Sequence, residues 1–589
     1  MSATSTTNPG SSTTESPKIP KIESIAIIGA GPAGLASLYE FLHTSKDGSS
    51  TLTNAKNTYK ENKLPSDPAF KKIVAFETKD HAGGIWAPAT EKADLNVPPQ
   101  DILNSEDYSN PEVIRPNRKS PKDLSNTDKD HPIDTKDDSN SKEIELINEL
   151  EWKRSGVFPF LFTNIPQKFT RYSYLPDEKE YYSQQRTIYP FLTHNELTKR
   201  FTNFIKDTNL LDYIRLNSAV ENVEKNEKTG KWELTIRHKP NGQNKNEWYK
   251  EEFDAVVVAN GHYTVPYYPH IEGLAEFNEH FPNSILHVKS FRNVEDFKGK
   301  DVLVVGNSIS TANVVQYIVP VAKSVTVSKR GEHLVFKYIN EALSSDGIIS
   351  KPTIDHIDPK TGEFFFKDES KGNKYDKIIF STGYHYHFPF FTKEKDYLKL
   401  INPGNLSRVG GLYWNTFDQK DPTLGTVGIT VSQLNFHTIE ASAAALAGVW
   451  SGAKQLPSEI EQNQWEIETI KEKGDSLHFH YYTQHTAKDF INGVIPYAPK
   501  NRYNPLEIDG EFVYDVDEGG NYLEKLFYGL KEGKISTDDT SDPIASKSLD
   551  DILKNKEGKS SNNSGIKDEK KQANVDVETV VDGVEAITV

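Results

Sequence analysis

The run SIAIIGAGPAGLASLYEFL, beginning at Ser24, constrains this chain more than any other feature. A short apolar strand enters a glycine-rich turn, and a helical pattern leaves it. A strand apolar on both faces belongs in a parallel sheet covered by helices. Gly29, Gly31 and Gly34 form GxGxxG, with Ala30, Pro32 and Ala33 between them. Gly29 permits a tight turn, Gly31 lets a pyrophosphate approach the backbone, and Gly34 lets the helix pack close to the strand. The helix N-terminus then offers unpaired N–H groups and the positive end of its dipole to phosphates. A close-packed turn that binds nothing is the plainer alternative.

An acidic residue is expected at the end of the next strand, where it holds ribose hydroxyls. IVAFE supplies Glu77, and the polar stretch Thr44–Pro68 explains why it comes later than the usual ~20 residues beyond the loop. A solvated strand-end carboxylate is the other reading. HAGGIW follows, and Gly83 and Gly84, with Ile85 and Trp86, allow close backbone approach to a flat cofactor. Taken alone, it reads equally well as a turn with a core tryptophan.

A second strand–turn–helix unit reads DVLVVGNSISTANVVQYI. Gly306, Ser308 and Thr311 stand where three glycines would, with Asn307 and Ser310 completing the turn. The next strand ends SVTVSKRG. A 2′-phosphate calls for a cation and hydroxyl donors where NAD sites place a carboxylate. Ser328, Lys329 and Arg330 supply them, which favours NADPH; a basic surface turn is the alternative. Two loops imply two dinucleotides, and the natural reaction between them is hydride transfer from nicotinamide to flavin.

Composition narrows the rest. The chain has 589 residues, enough for two or three domains, with 35% apolar and 26% charged residues. A net charge of -16 argues against a nucleic-acid partner, which needs basic stripes. The chain contains no cysteine, so disulfides, thiolate nucleophiles, cysteine–zinc sites and the cysteine pair of a flavin disulfide reductase are excluded. No stretch reaches the ~18 apolar residues of a membrane span; the run Ala441–Trp450 reads as core. The N-terminus has no secretory pattern. The expected location is the cytoplasm, with peripheral association with the endoplasmic reticulum membrane left open. No metal site is expected, and the oligomeric state is left undetermined.

The fold class read from these patterns is α/β, with two Rossmann-like dinucleotide-binding domains, the NADPH domain inserted in the FAD domain. A disordered tail is expected over 1–22. The FAD domain is expected in two chain segments, 23–264 and 377–534, the earlier one carrying a polar, partly disordered insertion at about 91–148. The NADPH domain is expected between them, over 265–376, and a disordered acidic tail over 535–589.

Between the loops the chain resembles the flavin-containing monooxygenase family, a likeness running from Ser24 to about Gly452. The family fingerprint FxGxxxHxxx(Y/F) is matched by FPNSILHVKSF, from Phe281 through His287 to Phe291, with Asn283 in place of the glycine. Related Baeyer–Villiger enzymes carry Trp where Phe291 stands, so the resemblance favours simple S- or N-oxygenation. His287 is expected to be structural. HAGGIW is similar to the family's GGxW. FTNIP resembles the segment whose Asn lies beside the flavin ring, which implies Thr163 and Asn164 at the cofactor and Asn164 as the catalytic hydrogen-bond donor. YIRLNSAVENV resembles the strand whose valine backbone meets the FAD adenine, which implies Val220. IIFSTGYHYHFPF is similar to the ATGY-type element, with Ser381 for Ala, and implies Thr382, Gly383 and Tyr384. The C-terminal region is similar to fungal members, above all yeast-type enzymes that oxidise small thiols.

The resemblance implies FAD, NADPH, O2 and a small-molecule substrate as the partners. It implies that a C4a-hydroperoxyflavin, shielded by bound NADP, gives its distal oxygen to sulfur or nitrogen. Ketone oxygenation of the Baeyer–Villiger type is a second reading. A flavin- and NADPH-binding protein that no longer oxygenates is a third, suggested by the degenerate second loop.

Overall fold

The computed structural model describes residues 15–551 apart from 89–91, 106, 137–141, 334, 373, 393–396, 402–406, 509–511, 543–547 and 550. The tail expectations for 1–14 and 552–589 therefore lie outside the described residues, as do the first residue and positions 106 and 137–141 of the expected insertion.

The α/β class and the two Rossmann-like sheets read from the sequence hold. The first sheet runs in the order Leu412–Tyr413, Phe417–Asp418, Leu424–Thr426, Ala255–Val258, Ser24–Ile28, Lys72–Phe76, Ile214–Arg215. Its strands are parallel from Leu424–Thr426 onward, with Ile25 opposite both Ile73 and Ala255. Residues 24–258 and 424–426 lie on opposite sides of the second domain in sequence, so two chain segments build this sheet. The helix Pro32–Leu42 packs beside Asn435–Trp450, whose residues from Phe436 onward are all buried. The apolar run at Ala441–Trp450 is thus core.

The second sheet is wholly parallel, in the order Ile285–His287, Lys377–Phe380, Asp301–Val305, Ser324–Ser328, Ile348–Lys351. Lys377–Phe380 lies inside it, with Val302 opposite Lys377 and Val305 opposite Phe380. The expected boundary at 376 therefore moves beyond Phe380. An apolar strand pattern tells that a strand is buried but not in which of two parallel sheets. The two crossings between domains run side by side: Val265–Pro266 pairs antiparallel with Tyr384–His385.

The C-terminal region also departs from expectation. Helix Phe512–Lys531 packs on the second domain's helix Ile309–Ile318, and Leu523, Leu526, Phe527 and Leu530 share a core with Val314, Val315 and Ile318. The expected tail from 535 begins ordered: Ile535, Thr540 and Leu549 are buried, and Ser536 caps a short helix, Thr537–Ser541. Segments poor in periodicity still order when a preformed apolar surface accepts their few large residues.

The same applies to the polar insertion. Among its described residues Leu103, Tyr108 and Ile114 are buried in a cluster with Tyr268, Ile271 and Phe277. Ile133–Lys136 adds an edge strand to an antiparallel sheet made with Lys245–Phe253, Trp232–His238 and Ser218–Lys225. Among the described residues no helix is long and apolar enough to cross a membrane.

Behind the first nucleotide helix lies a fully buried ionic group. Arg502 bonds both oxygens of Glu40, at 2.8–3.2 Å, and also pairs with Glu440. Ser173 donates its backbone N–H to Glu440 at 2.7 Å. Glu40 sits on Pro32–Leu42 and Glu440 on Asn435–Trp450, so Arg502 fastens the two helices together.

Several histidines are buried as neutral rings. Burial holds His43, His262 and His385 near 4, and burial followed by the nearby Lys289 charge holds His287 near 3. A base depressed on folding binds fewer protons in the native state than in the unfolded state below about 6.5. Each histidine therefore removes stability as pH falls from about 6.5 toward its folded value, by up to ~1.4 kcal/mol per pH unit. Denaturant midpoints at pH 7 and pH 5 are expected to show a marked loss at the lower pH, reduced in His287→Gln.

Candidate active site

The first loop is built by backbone proximity. A Cβ on Gly34 would lie 2.0 Å from the Gly29 carbonyl oxygen, so only glycine lets this helix start so close to the strand. Gly31 and Gly84 face each other: a Cβ on Gly84 would stand 2.8 Å from the Gly31 Cα. The GGxW turn therefore lies against the loop, with Gly83 N–H bonded to Ala30 O at 2.9 Å. Gly84, Ile85 and Trp86 form a single 3-10 turn. The helix starting at Pro32 has no side-chain cap, which leaves its first N–H groups for a ligand.

Glu77 is buried at the end of Lys72–Phe76. Its Oε2 accepts from the Ala30 N–H at 2.9 Å and its Oε1 from the Lys79 N–H at 3.1 Å. The carboxylate thus adjoins the glycine loop despite the long polar insertion before it. Ser218 N–H bonds to Glu77 O at 2.7 Å, which carries Val220 alongside; Val220 is buried against Ile28 and Phe76. A cavity of about 360 Å³ opens here, lined by Thr78, Lys79, Gly84, Arg154, Asn217 and Lys239 among others. The uncapped helix start, the Gly31–Gly84 approach and a strand-end carboxylate are the features that FAD requires, so the residues present fit the group.

Thr163 is engaged with protein: its Oγ1 donates to Ile165 O at 3.0 Å, and its N–H bonds to Leu192 O. Asn164 is half-buried, and its amide makes no hydrogen bond among the described residues.

The second loop replaces glycines by a self-capped helix. Ser308 caps Ile309–Ile318 in a reciprocal box with Thr311. Their hydroxyls are spent on the helix start, so the degenerate sequence keeps the turn by another device. Gly306 is still required: at φ +133°, a Cβ would meet Ser381 O at 2.4 Å. Asn307 Nδ2 donates to Gly331 O at 2.5 Å and to Asn340 Oδ1 at 3.3 Å. Ser310 lies in the helix's first turn.

The three residues expected at a 2′-phosphate are not equally available. Ser328 is buried and its hydroxyl donates to Pro352 O at 2.8 Å. Lys329 Nζ bonds Ser344 Oγ at 2.5 Å. Arg330 is exposed and forms no ion pair among the described residues. It lies close enough to Tyr267 and His478 to act on both electrostatically.

Thr382 Oγ1 donates to Tyr267 O at 2.5 Å. His287 Nδ1 accepts from the Lys289 N–H, so Nε2 carries the proton and donates to Gly383 O at 3.1 Å. His287 is buried and structural, joining the fingerprint to the Thr382–Tyr384 element. Asn283 takes φ +66°, the left-handed region that glycine favours and Asn tolerates, which is why it can replace the motif's glycine. Phe291 is buried edge-on to Phe158 and Phe160.

Tyr263, which the sequence reading did not single out, meets Tyr384 edge to face with ring centres 5.5 Å apart. It follows the strand Ala255–Val258. Its signal was available, because ligands in open α/β sheets gather at the carboxyl ends of strands.

A family model of flavin-binding monooxygenase-like proteins matches residues 146–350 and 343–496. The chain belongs to this family. This chain is therefore a flavin-containing monooxygenase, with FAD and NADPH as its cofactors. It is 26% identical over 450 residues to a trimethylamine monooxygenase of Methylocella silvestris, covering 75% of this chain and 77% of the relative. It is 31% identical over 324 residues to the flavin-containing monooxygenase FMO GS-OX-like 4 of Arabidopsis thaliana, covering 54% and 67%. Its fold is like that of S-allyl-L-cysteine S-oxygenase from Allium sativum, with a TM-score of 0.59 at 21% identity over 91% of this chain and 98% of that one.

Proposed function

We propose that this flavin monooxygenase takes NADPH in its second domain and oxygenates soft nucleophiles, small thiols foremost and amines second. The observation that carries the reading is the pairing of an uncapped glycine loop beside Glu77 with a second nucleotide loop followed by the exposed Arg330. The relatives support sulfur and nitrogen alike, since one is named for trimethylamine and one for S-allyl-L-cysteine.

Bound FAD, once reduced by NADPH, would activate O2 so that one oxygen atom passes to the substrate and the other leaves as water. The protein's own contribution is binding, orientation and exclusion of water. The helix start at Pro32 would hold the pyrophosphate, Glu77 the ribose, and the backbone near Val220 the adenine. Asn164 offers an uncommitted amide donor for the reacting region. The half-buried Tyr384, whose hydroxyl is kept protonated by its burial, helps to exclude water.

NADPH consumption with cysteamine, glutathione and a tertiary amine tests the substrate class. Faster turnover with a thiol, accompanied by oxygenated product, is expected; turnover with the amine alone would overturn the thiol assignment. Arg330→Ala is expected to raise the KM for NADPH by roughly 10- to 100-fold, the range of a lost charge-assisted hydrogen bond, and to leave use of NADH nearly unchanged. Equal loss with both nucleotides would remove Arg330 from the 2′-phosphate site.

A further inference from the structure

The fingerprint segment does something in this chain that its motif does not describe. Lys289, two residues after His287, is buried with a side-chain exposure of 1%. Its ammonium pairs with Asp94, itself 2% exposed, and donates to Trp152 O at 2.7 Å. Asp94 lies near the start of the polar insertion and Trp152 just past its end, so a single cation closes the insertion at its base. Neighbouring contacts follow the same seam. Ser290 Oγ bonds Leu95 O at 2.9 Å, and His287 N–H and Tyr268 Oη both bond Asn96 O, at 2.9 and 2.7 Å.

The insertion is anchored on the other side as well. Glu151 pairs with Arg237 at 2.7 Å and Arg118 at 2.9 Å, while Ile133–Lys136 joins the antiparallel sheet of the first domain. Lys289 thus ties a segment fixed to the first domain to the strand Ile285–His287 of the second. Gly156 lies close to both the Lys289 stem and Tyr384: a Cβ there would meet Tyr384 Oη at 2.9 Å and Lys289 Cγ at 3.3 Å.

We propose that Lys289 and Asp94 are positioning residues that set the orientation of the NADPH domain against the FAD domain, and with it the approach of nicotinamide to flavin. The proposal rests on the functional reading above only for its consequence in hydride transfer. A buried pair whose partner is removed leaves an unpaired charge that pulls in water, so the seam loosens where the two domains meet.

The absence of cysteine makes the test direct. Leu64→Cys and Ile349→Cys place exposed thiols, at 59% and 50% exposure, on the first and second domains. Spin labels on the full-length, flavin-loaded double variant report the distance distribution between domains. Asp94→Asn or Lys289→Met is expected to broaden that distribution and to slow anaerobic flavin reduction by NADPH at least 10-fold, with flavin content unchanged. Asp94→Glu is expected to restore both readouts most of the way. A distribution as narrow as the parent's, or slowed reduction explained wholly by flavin loss, would overturn the proposal. Should both variants fail to fold, Ser290→Ala takes their place; it must broaden the distribution, and a parental width there would overturn the proposal equally. A parent whose flavin NADPH never reduces would instead overturn the functional reading, which the distance measurement does not depend on.

Discussion

Gly34→Ala is expected to leave the protein without its flavin. The added methyl would sit 2.0 Å from the Gly29 carbonyl oxygen, a backbone atom that cannot swing aside. The helix Pro32–Leu42 must then move away from its strand by more than 1 Å, on the order of the missing van der Waals separation. That motion displaces the N–H groups that would hold the pyrophosphate and opens the Gly31–Gly84 approach. Overpacking costs about 1–3 kcal/mol in stability, whereas the binding geometry is lost nearly completely. Flavin-to-protein absorbance ratios should fall at least ~10-fold, equivalent to about 1.4 kcal/mol or more of binding. Retention of flavin at the parental ratio would mean that the loop does not carry the pyrophosphate.

Arg502→Met is the substitution expected to cost most in stability. It removes the cation shared by Glu40 and Glu440 and leaves two carboxylates with no exposed side-chain surface. Removing one partner of a buried ionic group costs about 3–5 kcal/mol, on the order of a 10 °C fall in the unfolding midpoint for a domain of this size. The pH dependence has a definite sign. Burial first, with the nearby Glu440 charge adding to it, raises the Glu40 carboxyl above its ordinary value, against the pull of Arg502. An acid raised on folding contributes stability that is present below its ordinary value and lost as pH rises through the folded one. Without Arg502 the raising effects stand unopposed, so the variant's deficit should widen between pH 5 and pH 8. A deficit independent of pH would show that the lost packing of the Arg502 stem, and not its charge, is what the variant reports.

The strand–turn–helix at Gly29–Gly34, the strand end at Glu77 and the turn at Gly83–Trp86 were legible because each is a local pattern whose geometry follows from missing side chains or a strand end. Their meeting in space, Gly31 on Gly84 and Ala30 on Glu77, follows from one short parallel pairing. The second site was less legible for a physical reason. Ser308 and Thr311 stand where glycines would, and a hydroxyl at a helix start satisfies its own backbone first. Ser328 looked like a phosphate ligand by position, but strand-end side chains alternate, and this one turns toward Pro352. The insertion and the C-terminal segment were misjudged through composition: Leu103, Tyr108, Ile114 and Ile535 are few and irregularly spaced, and what orders them is a surface supplied by distant residues. Lys289 could not be singled out, because its partner lies 195 residues away in sequence.

The long helix Phe512–Lys531 closes the hydrophobic core of a domain whose last sheet strand ends at Phe380. During synthesis the ribosome therefore releases every strand of that domain well before the surface that completes its core. The first domain waits likewise, for Leu424–Thr426. Neither domain can finish folding before Thr426 has emerged, and both reach their final packing only after most of the polypeptide has left the ribosome. Chains cut short just before Phe512 are then expected to be substrates for chaperones and proteases, with a second domain that has its sheet but lacks its cover.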